Sequence, residues 1–294
     1  MDRESELGIV RRTYAKQVLA AAGVSDGRVE NAFAVVPREH FLGPGPWPIL
    51  RNGRYVPTPS RNPVYLYTNV LVGILPERNL NNGEPALHAI LIAAAALRPG
   101  EHVVHVGAGV GYYTAILRQL VGRRGRVTAI EYDPVLAVRL AANFADVRNL
   151  QVIQGDGTTA EFAAADVIYV NAGATRPADR WLDRLNDGGR LILPLTTAAG
   201  FTGRGLKAVE RTGAIFRIQR DSDGFAARWV SPVGHTPSGA TGVFAFASVH
   251  AAASAIDQWN GSPERQIERR ITDSLRASAT RTVPGPDRLA IASA

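Results

Sequence analysis

A glycine run, Val106-Gly107-Ala108-Gly109-Val110-Gly111, stands between a short apolar stretch and an amphipathic one, and is where residue type and spacing first suggest chemistry. Glycine lacks a Cβ, so such a run turns tightly and lets a ligand approach the backbone. By itself the run is common to several nucleotide-binding folds. Its spacing is G-x-G-x-G rather than the G-x-G-x-x-G of dinucleotide sites. The next apolar stretch ends in Glu131, and the one after it in Gly155-Asp156-Gly157. An acid at Glu131 can accept hydrogen bonds from both hydroxyls of a ribose, and an acid at Asp156 from an adenine amino group. A dinucleotide fold does not need the second acid. Together the three features outline an adenosine-shaped site, although each alone also suits a turn glycine or a helix-capping acid.

These residues must be held by a βαβ rhythm. His102–Val106 reads as a strand and Tyr112–Val121 as an amphipathic helix ending at Gly122. Strand Arg126–Glu131, helix Pro134–Phe144, strands Leu150–Ile153 and Val167–Val170, and helix Ala178–Leu185 follow. Asp187-Gly188-Gly189 then turns into strand Arg190–Leu195. This alternation predicts an α/β fold with a doubly wound, mostly parallel sheet. Ala214–Gln219 and Ala227–Val233 read as a closing hairpin pair. Upstream, Val10–Ala22 is helical, Ser25 and Asp26 can cap a second helix through Val36, residues 46–63 read as a loop or lid, and Pro85–Leu97 is a further helix. Beyond Gly234, Val243–Val249 reads as a strand and Ser262–Ala279 as a charged helix, before a tail from Thr282 that reads as disordered. The expected organisation is a helical and loop cap on the substrate side (1–95), a cofactor-binding core (96–234) and a C-terminal extension (235–294) through which subunits could pair.

Composition narrows the classes. The chain has no cysteine, which excludes disulfides and thiolate chemistry, and its six histidines show no metal-ligand spacing, so no metal is expected. The net charge of +7 is almost all arginine, with Lys16 and Lys207 the only lysines, and the arginines are dispersed. Nucleic acid is therefore not the expected partner. No stretch reaches the roughly 20 apolar residues of a membrane span. The start, Met1-Asp2-Arg3-Glu4-Ser5-Glu6, is polar and mixed in charge and does not read as a signal peptide, so the expected location is the cytoplasm.

The chain resembles the protein-L-isoaspartate O-methyltransferases, a family of class I methyltransferases that use S-adenosylmethionine (SAM) and release S-adenosylhomocysteine. The resemblance rests on Val36-Pro37-Arg38-Glu39-His40-Phe41, Pro85-Ala86-Leu87-His88-Ala89, Val103–Tyr113, Gly125–Glu131, Gly155-Asp156-Gly157, Leu185–Pro194 and Trp229-Val230-Ser231-Pro232-Val233, in family order over residues 10–235. It implies that Gly107, Ala108, Gly109, Gly111 and Tyr112, with His105, surround the methionine part of SAM. Glu131 and Tyr132 would then hold the ribose, and Asp156 and Gly157 would border the adenine. The implied acceptor is a carboxylate of a protein or peptide.

Two departures stand out. The family carries a hydroxyl residue that orients the acceptor carboxylate, and Gly83 takes its place here, within Asn81-Asn82-Gly83-Glu84-Pro85. Asn81 or Asn82 could supply an amide donor instead, whereas Glu84 adds a negative charge that would repel a carboxylate. His105 replaces the usual acid before the glycine loop. The acceptor-side candidates are thus Asn82, Gly83 and His88. Methylation of another acceptor, and SAM binding without catalysis, are the competing readings. The Asn/Asp-Pro-Pro-aromatic motif of amino-group methylation of nucleic acid is missing.

Overall fold

The computed structural model describes residues 3–78, 80–195, 214–222 and 224–232. The chain opens with α1 (Arg3–Ala22) and α2 (Gly27–Val35), and the Asp26 carboxylate caps α2 by accepting from the amides of Arg28 and Val29. A one-turn α3 (Glu39–Leu42) follows.

Residues 46–63 are not a plain loop. β1 (Pro48–Arg51) and β2 (Arg54–Pro57) pair antiparallel there, across Asn52 at φ 50° and Gly53 at φ 76°. Asn-Gly with both residues left-handed is the turn whose twist suits a two-residue hairpin. A second antiparallel pair, β3 (Gly73–Leu75) and β4 (Leu80–Asn81), precedes α4 (Pro85–Ala95).

The core runs β5 (His102–Val106), α5 (Tyr112–Val121), β6 (Arg126–Glu131), α6 (Pro134–Asn143), β7 (Leu150–Gln154), β8 (Ala165–Val170), α7 (Asp179–Asp183) and β9 (Leu185–Leu195). β10 (Ala214–Asp221) and β11 (Gly224–Pro232) close the seven-stranded sheet, ordered β11-β10-β9-β8-β5-β6-β7. β5 through β9 pair in parallel, and β10 and β11 are antiparallel. The strand and helix bounds expected from Tyr112 to Glu131 match those observed. Around α7 they do not: the helix is a short piece, and β9 already starts at Leu185, before the glycine pair. The segments read at 243–249, 262–279 and beyond 282, and with them any pairing of subunits through the extension, lie outside the described residues.

Alternation along β5 divides its side chains between two apolar layers, as the two-residue period of a strand requires. Val103 joins Tyr14, Val18, Phe33, Leu91 and Ile116 on one face, so α1, α2, α4 and α5 share one core with the sheet. Val104 and Val106 join Ile168, Trp181 and Leu193 on the other. Order reverses where β5 lies between β6 and β8, and there, outside the carboxyl ends of the strands, open α/β sheets bind ligands.

Arg38 is a buried charge with no exposed surface. Its guanidinium donates to the carbonyls of Leu66, of Thr68 at 3.2 Å and of Val70 at 3.1 Å, between the rings of Tyr14 and Tyr112. It pins the segment leading into β3. Within that segment the Asn69 side chain accepts from the Ala86 amide at 2.8 Å, so Arg38 also steadies the start of α4.

Candidate functional site

The glycine loop leaves β5 with the amides of Gly107 and Ala108 bonded to the carbonyl of Ile130, at 2.9 and 3.1 Å. Its glycines have different reasons to be glycine. A Cβ on Gly107 (φ 74°) would stand 2.6 Å from the carbonyl oxygen of Asn171, and one on Gly111 (φ 100°) 2.4 Å from the Phe144 ring. Both are therefore fixed by packing within the protein. A Cβ on Gly109 (φ 57°) would meet nothing nearer than 3.7 Å, so its Cα faces open space.

That space is a cleft open to solvent. One wall is the loop from Gly107 to Tyr113. Ile74, Leu80, Asn81 and Asn82 of the β3–β4 region line the cleft as well, with Leu136 and Asn171.

Glu131, at the carboxyl end of β6, is fully buried directly behind Gly109. One carboxylate oxygen accepts from the Gly109 amide at 2.6 Å and the other from the Asp133 amide at 2.9 Å. Burial pushes this carboxyl up to about 7, against the downward pull of those two amide bonds. A carboxylate has roughly four acceptor positions, so two remain unfilled, but Glu131 has no exposed surface and, like Tyr132, Asp156 and Gly157, is not among the residues that line the cleft. Tyr132 next to it is 43% exposed.

At the end of β7 the Asp156 carboxylate accepts from the amide and the hydroxyl of Thr158, both at 2.8 Å, which shapes the turn after the strand. Gly157 must lack a side chain, since a Cβ would lie 2.3 Å from Val106 Cγ1. Its carbonyl accepts from the Trp181 indole at 2.7 Å, and the Gly155 amide bonds the Glu131 carbonyl at 2.9 Å. The ends of β5, β6 and β7 are thus stitched into one edge.

His105 does not reach the cleft. Its ring is buried beneath α5, with Nδ1 2.8 Å from the Thr114 hydroxyl and the Tyr169 ring edge-on to it. Burial pushes its pKa down to about 3, so it is a neutral imidazole at physiological pH. Tyr112 turns its ring the same way, toward Tyr14 and Phe41, and meets the cleft from the start of α5.

On the acceptor side His88 is buried in α4, its ring stacked on Tyr113 at 3.4 Å and its Nδ1 2.7 Å from the Tyr169 hydroxyl. Burial holds its pKa well below the usual histidine range. Gly83 lies against its Nε2, and the Gly83 carbonyl accepts from the Tyr113 hydroxyl at 3.3 Å. Glu84 is buried with one oxygen accepting from the Asn69 amide at 2.7 Å, and burial raises its carboxyl to about 7. The negative charge expected there is therefore reduced at neutral pH.

The structure adds Tyr113, Asn171, Tyr169 and Ile74 to the residues read from sequence. Asn171 carried a usable signal, a polar residue directly after a buried parallel strand beside the switch point. The others depend on contacts distant in sequence. Among the described residues no group of three or more histidine, aspartate or glutamate side chains could hold a metal, and no helix is long and apolar enough to cross a membrane.

The sequence profile of the protein-L-isoaspartate(D-aspartate) O-methyltransferase family matches residues 15–222. A protein-L-isoaspartate O-methyltransferase of Ignicoccus hospitalis is 28% identical over 77% of this chain and 96% of its own length. One from Archaeoglobus fulgidus is 31% identical over 70% of this chain and 86% of its own. Against the Thermotoga maritima enzyme the identity is 29% over 60% of this chain, which spans only 53% of that relative's length. Among solved structures, a protein-L-isoaspartate O-methyltransferase superposes with a TM-score of 0.60 at 24% identity, over 78% of this chain and 66% of the other. A Plasmodium falciparum structure, described as a putative protein-L-isoaspartate O-methyltransferase in complex with S-adenosyl-L-homocysteine, gives 0.58 at 17% identity over 80% and 97%. These two likenesses concern the fold. The chain belongs to the protein-L-isoaspartate(D-aspartate) O-methyltransferase family, with the Rossmann-like α/β fold of class I SAM-dependent methyltransferases.

Proposed function

We propose that this chain transfers a methyl group from SAM to a carboxylate of a protein or peptide, with isoaspartyl residues as the acceptor class. The observation that carries this reading is that the glycine loop and the Asn81–Asn82 segment line one and the same cleft. SAM fits the residues present. Gly109 leaves open space where a side chain would stand, and Glu131 keeps acceptor capacity for ribose hydroxyls. Asp156 and Gly157 end the neighbouring strand, where adenine would lie beside Tyr132. Gly107, Ala108, Gly111 and Tyr112 would hold the methionine part, with His105 supporting the loop from beneath. Asn82, Gly83 and His88 form the acceptor side.

SAM supplies, when bound, a methyl group made electrophilic by the attached sulfonium. The residues of the chain have only to align the acceptor and exclude water. A carboxylate with a pKa of about 4 is already ionised at pH 7, so no proton has to be removed. With SAM bound, transfer would form a C–O bond to one carboxylate oxygen and break the S–C bond, leaving a neutral ester and a neutral thioether. The neutrality of His88 and His105 agrees with a reaction that needs no histidine base.

The test is methyl transfer from labelled SAM to an isoaspartyl peptide and to its normal aspartyl counterpart. Base-labile label on the isoaspartyl peptide alone is the expected result. SAM binding with no transfer to either peptide would overturn the reading.

A further inference from the structure

The two asparagines that line the cleft with the glycine loop are not equivalent. The Asn81 amide nitrogen donates to the Tyr55 hydroxyl at 3.1 Å, and its oxygen accepts from the Gly83 amide at 2.9 Å, so both ends of that side chain are engaged within the protein. Asn82 is 5% exposed and lines the cleft. Its Oδ1 accepts from the Val72 amide at 3.0 Å, and its own amide donates to the Val72 carbonyl, also at 3.0 Å. A backbone N–H can only donate, which settles which end of the carboxamide is the oxygen. The remaining end is an NH₂ group, and its nitrogen has no partner among the described residues. The nitrogen itself is buried just inside a residue that lines the cleft, and a buried donor without an acceptor is costly.

The neighbouring position cannot serve. Gly83 has φ 76°, and a Cβ there would stand 2.3 Å from His88 Nε2, so no side chain fits between the loop and α4. We infer that the Asn82 amide receives the methyl acceptor, donating to the carboxylate oxygen that stays unmethylated. This rests on the carboxylate reading above and names the residue that positions the acceptor. A neutral amide suits the task. It holds one oxygen by a single directional bond and leaves the other oxygen's lone pairs free to attack, and it brings no cation that would lower their basicity. The bond from the Val72 amide to its Oδ1 holds the carboxamide before the acceptor arrives, so little side-chain freedom is lost on binding.

The test compares the wild-type chain with Asn82→Asp and Asn82→Ala, using an isoaspartyl peptide at saturating SAM. Aspartate keeps an oxygen for the Val72 amide and replaces only the NH₂ group. The expected result for Asn82→Asp is a KM for the peptide raised roughly 10- to 100-fold, the range for one hydrogen bond to a charged group. SAM affinity should stay within threefold. Lowering the pH should then restore part of the peptide affinity to Asn82→Asp, because a protonated carboxyl again offers a donor. Asn82→Ala should show no such recovery, which separates donation from a structural role. A KM within threefold of wild type in Asn82→Asp, or a loss seen in SAM affinity instead, overturns the Asn82 assignment alone. A wild-type chain that binds SAM and leaves the peptide unmethylated overturns the carboxylate reading, and this inference with it.

Discussion

Gly83 and His88 share a volume that holds only one side chain: a Cβ on Gly83 would stand 2.3 Å from the His88 Nε2 and 2.8 Å from its Cδ2. Gly83 also has φ 76°, where a Cβ costs about 1–2 kcal/mol by itself. Gly83→Ala should therefore destabilise the fold by ~2–4 kcal/mol, strain and overpacking combined. In Gly83→Ala/His88→Ala the overpacking disappears. The double variant should be more stable than the sum of the single losses implies, by at least ~0.5 kcal/mol, as urea denaturation would measure.

The raised Glu131 carboxyl makes cofactor binding pH-dependent. Ribose hydroxyls bond more strongly to an ionised acceptor, and burial raises the Glu131 carboxyl to about 7 in the cofactor-free protein. If the ionised form binds better, affinity falls as the pH drops below about 7, approaching tenfold per pH unit well below it. Glu131→Gln should bind weakly and lose most of this slope. Stability runs the opposite way. A folded carboxyl raised above its unfolded value of 4.5 contributes stability that is fully present below pH 4.5 and lost as pH rises through about 7. The cofactor-free protein should therefore become more stable between pH 7 and 5 while its SAM affinity falls. Calorimetric titrations and thermal melts across that range measure both.

The packing role of Gly111 separates it from Gly109. Gly111→Ala drives a Cβ into Phe144 and Leu140 from a left-handed backbone, so it should cost ~2–4 kcal/mol and weaken SAM binding together with stability. Gly109→Ala meets no packing obstruction, the nearest atom being 3.7 Å away. Its stability cost should stay near the ~1–2 kcal/mol of the left-handed backbone, with a larger proportional loss of SAM affinity. Paired melts and SAM titrations of the two variants decide this.

Arg38 satisfies three carbonyls from one buried guanidinium. Arg38→Met leaves those carbonyls without donors and should destabilise the protein by at least ~3 kcal/mol. The segment it pins carries Asn69, which bonds the first turn of α4, so the peptide KM should rise in any fraction that stays folded. Arg38→Lys keeps the charge but loses the planar fork, and should fall between wild type and Arg38→Met in denaturant midpoint.

Much of the core was legible because its signals are local. The glycine loop, the acid ending β6 and the Gly-Asp-Gly after β7 are short motifs whose positions follow from strand–helix alternation. Asn52-Gly53 was equally local, yet the Pro- and Arg-rich surroundings suggested a loop where the turn makes a hairpin. His105 shows a different limit. Its place before the glycine loop suggests a role at the cofactor, but the strand period turns its ring into the layer beneath α5. The Gly83–His88 exclusion and the unequal roles of Asn81 and Asn82 depend on what Val72, Tyr55 and Tyr113 do. No local pattern carries such contacts.

The claim on which the rest depends is that SAM lies in this cleft with its ribose on Glu131. Calorimetric titration of SAM into the wild-type chain and into Glu131→Ala at pH 8 tests it most directly, with a thermal melt to verify that the variant is folded. The predicted result is one site per wild-type chain and an affinity at least tenfold lower in the folded variant. Equal affinity in the two proteins would contradict the account.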